Sequence, residues 1–174
     1  LMAVLMVLNI APLPVLAAGG VSTADLEFDV SSPAGYVTVT FADHGVRPES
    51  ASIQNEELYG TAVGTIIPET RVPYVAGDTM ADVTVRLQKA LDMEYASTGT
   101  TKDGFYLSAL KDFELNGKHY PTFGEFDAGS QSGWTVRLNN WHIDRSCAAF
   151  PVEDGDNISW LYTCQYGADI GVDY

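Results

Sequence analysis

The sequence predicts an α+β domain, and three observations predict it. A period-two run spans Tyr36–Phe41, one capped amphipathic helix opens at Thr79, and a late hairpin folds on Asn139-Asn140. In the first strand, YVTVTF, Val37, Val39 and Phe41 share one face and Tyr36, Thr38 and Thr40 the other. Residues 42–60 show no period and are rich in Ser, Asn, Glu and Gly, which predicts a surface loop. From Thr61 to Val75, β-branched residues are broken by Pro68 and Pro73, which suits one edge strand or two short ones, because proline donates nothing to a ladder.

Gly77 and Asp78 end that run. Thr79 with Asp82 three residues on makes a variant capping box, and Met80, Val83, Leu87, Ala90 and Leu91 recur at helical spacing. Gly104–Leu110 and Asp112–Leu115 read as short strands or turns separated by charged residues. Tyr120–Gly133 is dense in Gly, Ser and aromatics and reads as a loop leading into the hairpin Trp134–Ile143. A two-residue Asn139-Asn140 turn tolerates positive φ, so Leu138 should oppose Trp141 and Val136 should oppose Ile143. Trp134, Val136, Leu138, Trp141 and Ile143 then share one face, and Thr135, Arg137 and His142 the other, with Arg137 opposite His142. Asp154-Gly155-Asp156 makes the last turn, and Ile158, Trp160, Tyr162 and Cys164 alternate along a final strand. No repeat or linker divides residues 19–174, so we expect one domain: a β-grasp-like plan with a mixed or antiparallel sheet, one main helix and a C-terminal hairpin.

Leu1–Ala18 carries no charge, and its helix-breaking Pro12 and Pro14 precede the small residues Ala17 and Ala18. This reads as the remnant of a signal peptide whose start is missing, cleaved after Ala17 or Ala18, leaving no membrane span and an extracellular or cell-surface domain. All charged residues follow it, 23 Asp and Glu against 9 Lys and Arg, for a net charge of −14. Cations so few and so scattered exclude a nucleic-acid binder. In an oxidising compartment the only two cysteines, Cys147 and Cys164, read most simply as a disulfide closing a short loop, worth roughly 3 kcal/mol; two buried thiols are the alternative.

His44, His119 and His142 are far apart and form no ligand motif, so no metal site is expected. Glu153, Asp154 and Asp156 suggest a calcium loop but lack its twelve-residue spacing, which leaves a turn. Ser146 and Cys147 have no base in reach, and paired acids such as Glu56-Glu57 arise by chance in so acidic a chain, so an enzyme is not expected. Three Trp, nine Tyr and seven Phe are more informative. Exposed, those near the C-terminal sheet make a platform for a flat ligand or a sugar; buried, they are core. Candidate ligand contacts are Trp134, Trp141, His142 and, in the 120–133 loop, Phe126. A neutral imidazole at His142 is the candidate for stacking on a planar ligand or ligating the cobalt of a corrinoid.

VTVTFADHG at 37–45, IIPETRVPYVAGDTMADVTVRL at 66–87, GEFDAGSQSGWTVRLNNW at 124–141 and VEDGDNISWLYTCQYGADIG at 152–171 form an ordered set. This set resembles secreted bacterial domains related to the C-terminal β domain of transcobalamin and intrinsic factor. The resemblance implies a small β-rich module on an exported protein, without catalysis, in which Gly133, Trp134, Asn139, Gly155, Asp156 and Trp160 carry the motif. Gly133 would free the backbone at the start of its strand, Asn139, Gly155 and Asp156 would make turns, and the tryptophans would be core. Cys147 and Arg145 depart from the family pattern. In the vitamin carriers the related domain closes over one face of cobalamin. The expectation is therefore an exported, non-enzymatic binding module for a small planar ligand, with a corrinoid such as cobalamin as the implied ligand. The alternative is a structural or adhesive module of a larger cell-surface protein, with a glycan or protein partner.

Overall fold

The computed structural model describes residues 20–45, 64–115 and 117–172. The expected signal segment and most of the expected 42–60 loop lie outside them. β1 (Gly35–Asp43) buries Val37, Val39 and Phe41 on one face, as its alternation requires. Its antiparallel neighbour β2 (Gly64–Tyr74) is one continuous strand at the sheet edge. Between Val39↔Thr70 and Phe41↔Ile67 the register advances two residues on β1 and three on β2. Pro68 falls inside that bulge, where a missing N–H breaks no ladder bond. The lead-in chain runs along the outer side of β2, with Val21 N–H donating to Ile66 O and Ala34 N–H to Tyr74 O, and so covers an otherwise open edge.

Helix α1 (Met80–Ala90) follows. Thr79 caps it as expected: its hydroxyl accepts from Asp82 N–H, and the Asp82 carboxylate accepts from Thr79 N–H at 2.8 Å. Met80, Val83 and Leu87 are wholly buried against the sheet.

β3 (Glu94–Thr100), β4 (Asp103–Leu115) and β5 (Lys118–Gly124) build a second, antiparallel sheet in the order β3-β4-β5. The two short segments expected after Gly104 are one 13-residue strand. Asp112 has φ of 50°, yet pairing with β5 continues through it, Lys111↔Thr122 and Phe113↔Tyr120. β5 also takes the first part of the expected 120–133 loop.

β6 (Gly133–Leu138), β7 (Trp141–His142) and β8 (Asn157–Thr163) join the first sheet, whose order is β2-β1-β8-β6-β7. β8 runs parallel to β1 and antiparallel to β6, so this sheet is mixed. The hairpin has the expected register, Leu138↔Trp141 and Arg137↔His142, with φ of 51° at Asn139 and 68° at Asn140. The fold is thus α+β, with two sheets where the sequence predicted one.

An aromatic cluster joins these layers. Phe41 of β1 stacks on Trp160 of β8 at 5.8 Å and meets Trp134 of β6 edge-on at 5.6 Å; Phe123 of β5 packs on Trp134 at 5.6 Å and Tyr162 at 4.2 Å. Each polar atom of the cluster finds a partner. Trp134 Nε1 donates to Phe123 O, Trp160 Nε1 to Thr84 Oγ1 on α1, and Tyr162 Oη to Gly124 O at 2.6 Å. Gly124 is required there by close approach, since a Cβ would collide with Ser108 O and the Ala109 side chain. Gly124→Ala should therefore cost about 1–3 kcal/mol in urea unfolding, and an unchanged midpoint would contradict the close approach.

Gln88, one turn beyond Thr84, is fully buried, and neither its Nε2 nor its Oε1 has a hydrogen-bond partner among the described residues. Replacement by methionine keeps the volume and removes an unsatisfied amide. Gln88→Met should raise stability by about 1 kcal/mol, and a fall in the urea midpoint would show that the amide is held by something other than protein.

Candidate functional site

The strand alternation of β6 and β7 sets the site. Trp134 is in the cluster and buried, Val136 follows it into the core, and Leu138 and Ile143 are half-buried on the same side. Trp141 shares that face but lies beyond the covered part of the sheet, and is 54% exposed. After Ile143 the chain turns back across β4, where Ser146 Oγ donates to Phe105 O at 3.0 Å and caps a 3-10 turn, Cys147–Ala149. That turn delivers Phe150 to Trp141, edge to face at 6.1 Å, and the Arg145 guanidinium lies over the Phe150 ring, 5.4 Å from its centre.

Beside this platform a cleft of about 210 Å³ opens between β6 and β4. Phe105, Tyr106, Ile143 and Arg145 line it, with Trp134 and Trp160 among its deeper walls. The cleft exists because β5 ends at Gly124, leaving the first part of β4 without a neighbour on that side, and because β7 is only two residues long. At its far end Tyr106 Oη donates to Glu125 Oε1 at 3.0 Å. Burial and the Glu125 carboxylate push the Tyr106 phenol up to about 12, so it remains a donor at ordinary pH.

A larger groove, about 420 Å³, lies between Phe28 and the outer side of α1. Two of its charged side chains are already committed, Arg86 to Asp78 and Pro73 O, and Asp82 to Lys102 and the helix cap. It also lacks an exposed aromatic of the kind that Trp141 offers. The smaller cleft with its platform is the better candidate.

The predicted site residues divide. Trp141 alone is a presented aromatic on this face, and Trp134 contributes as a wall. Phe126, 47% exposed in a turn with φ of 68°, stands near the Gly133 end of β6, a full strand from the hairpin tip, or about 17 Å at ordinary strand rise. His142 points to the opposite face, where Arg137 Nε donates to its Nε2 at 2.6 Å and its Nδ1 is buried. Neither nitrogen is presented to a ligand. Phe105, Tyr106 and Phe150 escape sequence reasoning because no local pattern joins them; Phe150 is an isolated aromatic before Pro151.

The motif residues meet as structure. Asn139 Nδ2 donates to Asp156 Oδ1 at 2.7 Å, Asn157 N–H donates to Asn139 Oδ1, and Glu153 N–H to Asp156 Oδ2, with Gly155 at φ of 86°. The hairpin turn and the last turn are therefore one hydrogen-bonded unit. Gly133 differs from expectation: a Cβ there would meet nothing nearer than 3.9 Å, so its position carries no steric demand for glycine.

The expected disulfide is absent: Cys147 and Cys164 are both buried and are not bonded to each other. Cys147 opens the 3-10 turn Cys147–Ala149 and lines the cleft, whereas Cys164 follows the last residue of β8. Burial pushes the Cys147 thiol up to about 12, which makes it a poor nucleophile. Among the described residues no three His, Cys, Asp or Glu side chains gather to hold a metal ion, and no helix is long and apolar enough to cross a membrane.

No family model and no curated protein matches the chain. Among solved structures, it is similar to haptocorrin in complex with Cbi at 13% identity and a TM-score of 0.43, over 80% of this chain and 27% of that one. A candidate metal binding protein from Ruminococcus gnavus aligns at 13% identity and a TM-score of 0.39, over 74% of this chain and 95% of that one. The chain thus spans little more than a quarter of the haptocorrin chain.

Cys147 should resist alkylation at pH 8 while the protein is folded, and the unfolded, unreduced protein should take up two alkyl groups. Mass spectrometry of the labelled protein reads both, and a product without label would restore the disulfide.

Proposed function

We propose that this chain is an exported, non-enzymatic module that binds a flat amphipathic ligand on the Trp141–Phe150 platform, with one edge group of the ligand in the adjoining cleft. Trp141 carries this reading: a large aromatic left more than half exposed on a short hairpin, braced by Phe150 and continuous through Arg145 with a cleft of mixed polar and apolar lining. Size supports a ligand laid on the surface, because about 210 Å³ is below the roughly 300–1,000 Å³ of pockets that enclose a small molecule. The sequence resemblance to the transcobalamin-type β domain makes a corrinoid the first ligand to test. A β-grasp assignment belongs to the same reading, supported by the central parallel pair β1/β8, the hairpins flanking it and the helix that follows β2.

Calorimetric titration with cobalamin and cobinamide tests the ligand, and Trp141→Ala tests the site. Saturable binding that weakens about tenfold or more in the variant, with the unfolding midpoint little changed, is the expected result. No heat at millimolar corrinoid would remove the corrinoid, and binding indifferent to Trp141→Ala would remove the platform.

A further inference from the structure

The face of the sheet turned away from Trp141 holds a second device. Arg137 makes two hydrogen bonds with its guanidinium: Nε donates to His142 Nε2 at 2.6 Å, and Nη2 donates to Ile170 O at 2.5 Å. Ile170 closes the 3-10 turn Ala168–Ile170, which Asp169 anchors from the other side by accepting from Thr163 Oγ1 and from Cys164 N–H. Arg137 therefore ties the hairpin to the C-terminal turn, and His142 holds Arg137 in the geometry that does so.

The first bond dictates the protonation state of the imidazole. A guanidinium N–H directed at Nε2 needs a lone pair there, so the ring is neutral with its proton on Nδ1. Nδ1 is buried and has no hydrogen-bond partner among the described residues, so nothing there favours a second proton on the ring. A proton on Nε2 would set N–H against N–H at 2.6 Å and place a cation beside a guanidinium. We propose that His142 and Arg137 form a pH-sensitive latch, which fastens the hairpin to the C-terminal turn while the imidazole is neutral and opens when it takes a proton.

The charged group that faces the ring is Arg137 across the hairpin; Asp169, in the turn that Arg137 holds, is committed to Thr163 and Cys164, and Asp144, two residues along the chain, is paired with Arg145 at 3.1 Å. Burial first, and the Arg137 charge second, hold His142 below its ordinary value of 6.5. The direction of the effect follows. Above 6.5 the ring is neutral whether the latch is closed or open; as pH falls below 6.5 the open form takes the proton first, so the closed form loses ground steadily. Trp141 sits next to His142 on a two-residue strand, so opening the latch frees the hairpin tip. This device stands independently of what the platform binds.

Hydrogen exchange of the 163–172 amides, corrected for intrinsic rates and followed from pH 8 to pH 5 beside NMR titration of the His142 ring, tests it. The expected result is a ring that titrates below 6.5 and a severalfold loss of protection in the turn over the same range. His142→Gln, whose carbonyl accepts from Arg137 without titrating, should keep the turn protected throughout. Ring titration at or above 6.5, or protection lost equally in wild type and His142→Gln, would overturn the latch. Should the variant fail to fold, wild-type protection that does not follow the His142 ring would overturn it equally.

Discussion

The structure depends on one cluster of rings, Phe41, Phe123, Trp134, Trp160 and Tyr162, drawn from both sheets. Rings of this size give large apolar burial, but an indole N–H or phenol O–H inside a core costs free energy unless it is bonded. Here each bond leaves the ring's own sheet: Trp160 to the helix, Trp134 and Tyr162 to the carbonyls of β5. Satisfying the polar atoms therefore fixes how helix and sheets sit on one another. The missing side chain at Gly124 serves the other side of β5, where a Cβ would collide with Ser108 O and Ala109 of β4.

The candidate site is a consequence of where that packing stops. Trp134 and Trp141 occupy the same face of one hairpin, yet one is core and the other is half in solvent. The difference is cover: β5 and β4 lie over the Gly133 end of β6, and among the described residues no strand lies over its tip. The chain that closes the gap, Ile143 to Phe150, supplies a cation, a cap and a ring rather than a strand, so the gap persists as a cleft with an aromatic rim. On the reverse face, the C-terminal turn covers β8, which is why Leu161 and Thr163 are buried as well as Ile158, Trp160 and Tyr162.

Polar residues that invite chemical readings are here occupied as structure. Asp154 and Asp156 look like cation ligands in the sequence, but their oxygens accept backbone N–H groups and an asparagine amide. The imidazole of His142 has the reach of a ligand and the neutrality for it, but an arginine takes its free nitrogen. The two cysteines lie within seventeen residues of each other, yet both are buried, one in the Cys147–Ala149 turn and one just past the end of β8, and they are not bonded to each other. In each case proximity along the chain is a weaker constraint than the hydrogen bonding and burial that the fold imposes.

Local pattern alone determined β1, the cap and buried face of α1, the Asn139-Asn140 hairpin with its register, and the last strand. All four rest on short-range physics: alternation, helical spacing, a side-chain cap and tolerance of positive φ. β3 and β5 carried no such signal, because EYASTGT has no apolar alternation and KHYPTFG contains a proline and a glycine; backbone pairing to β4 makes them strands. Trp141 was legible as a candidate, but its exposure was not, since burial depends on what the distant segments 103–124 and 143–150 cover. The same reason separates Trp134 from Trp141, joins Phe150 to Arg145, and turns His142 from a ligand candidate into the acceptor of a latch. Periodicity decided which residues share a face, and only the tertiary packing decided which of those faces meets solvent.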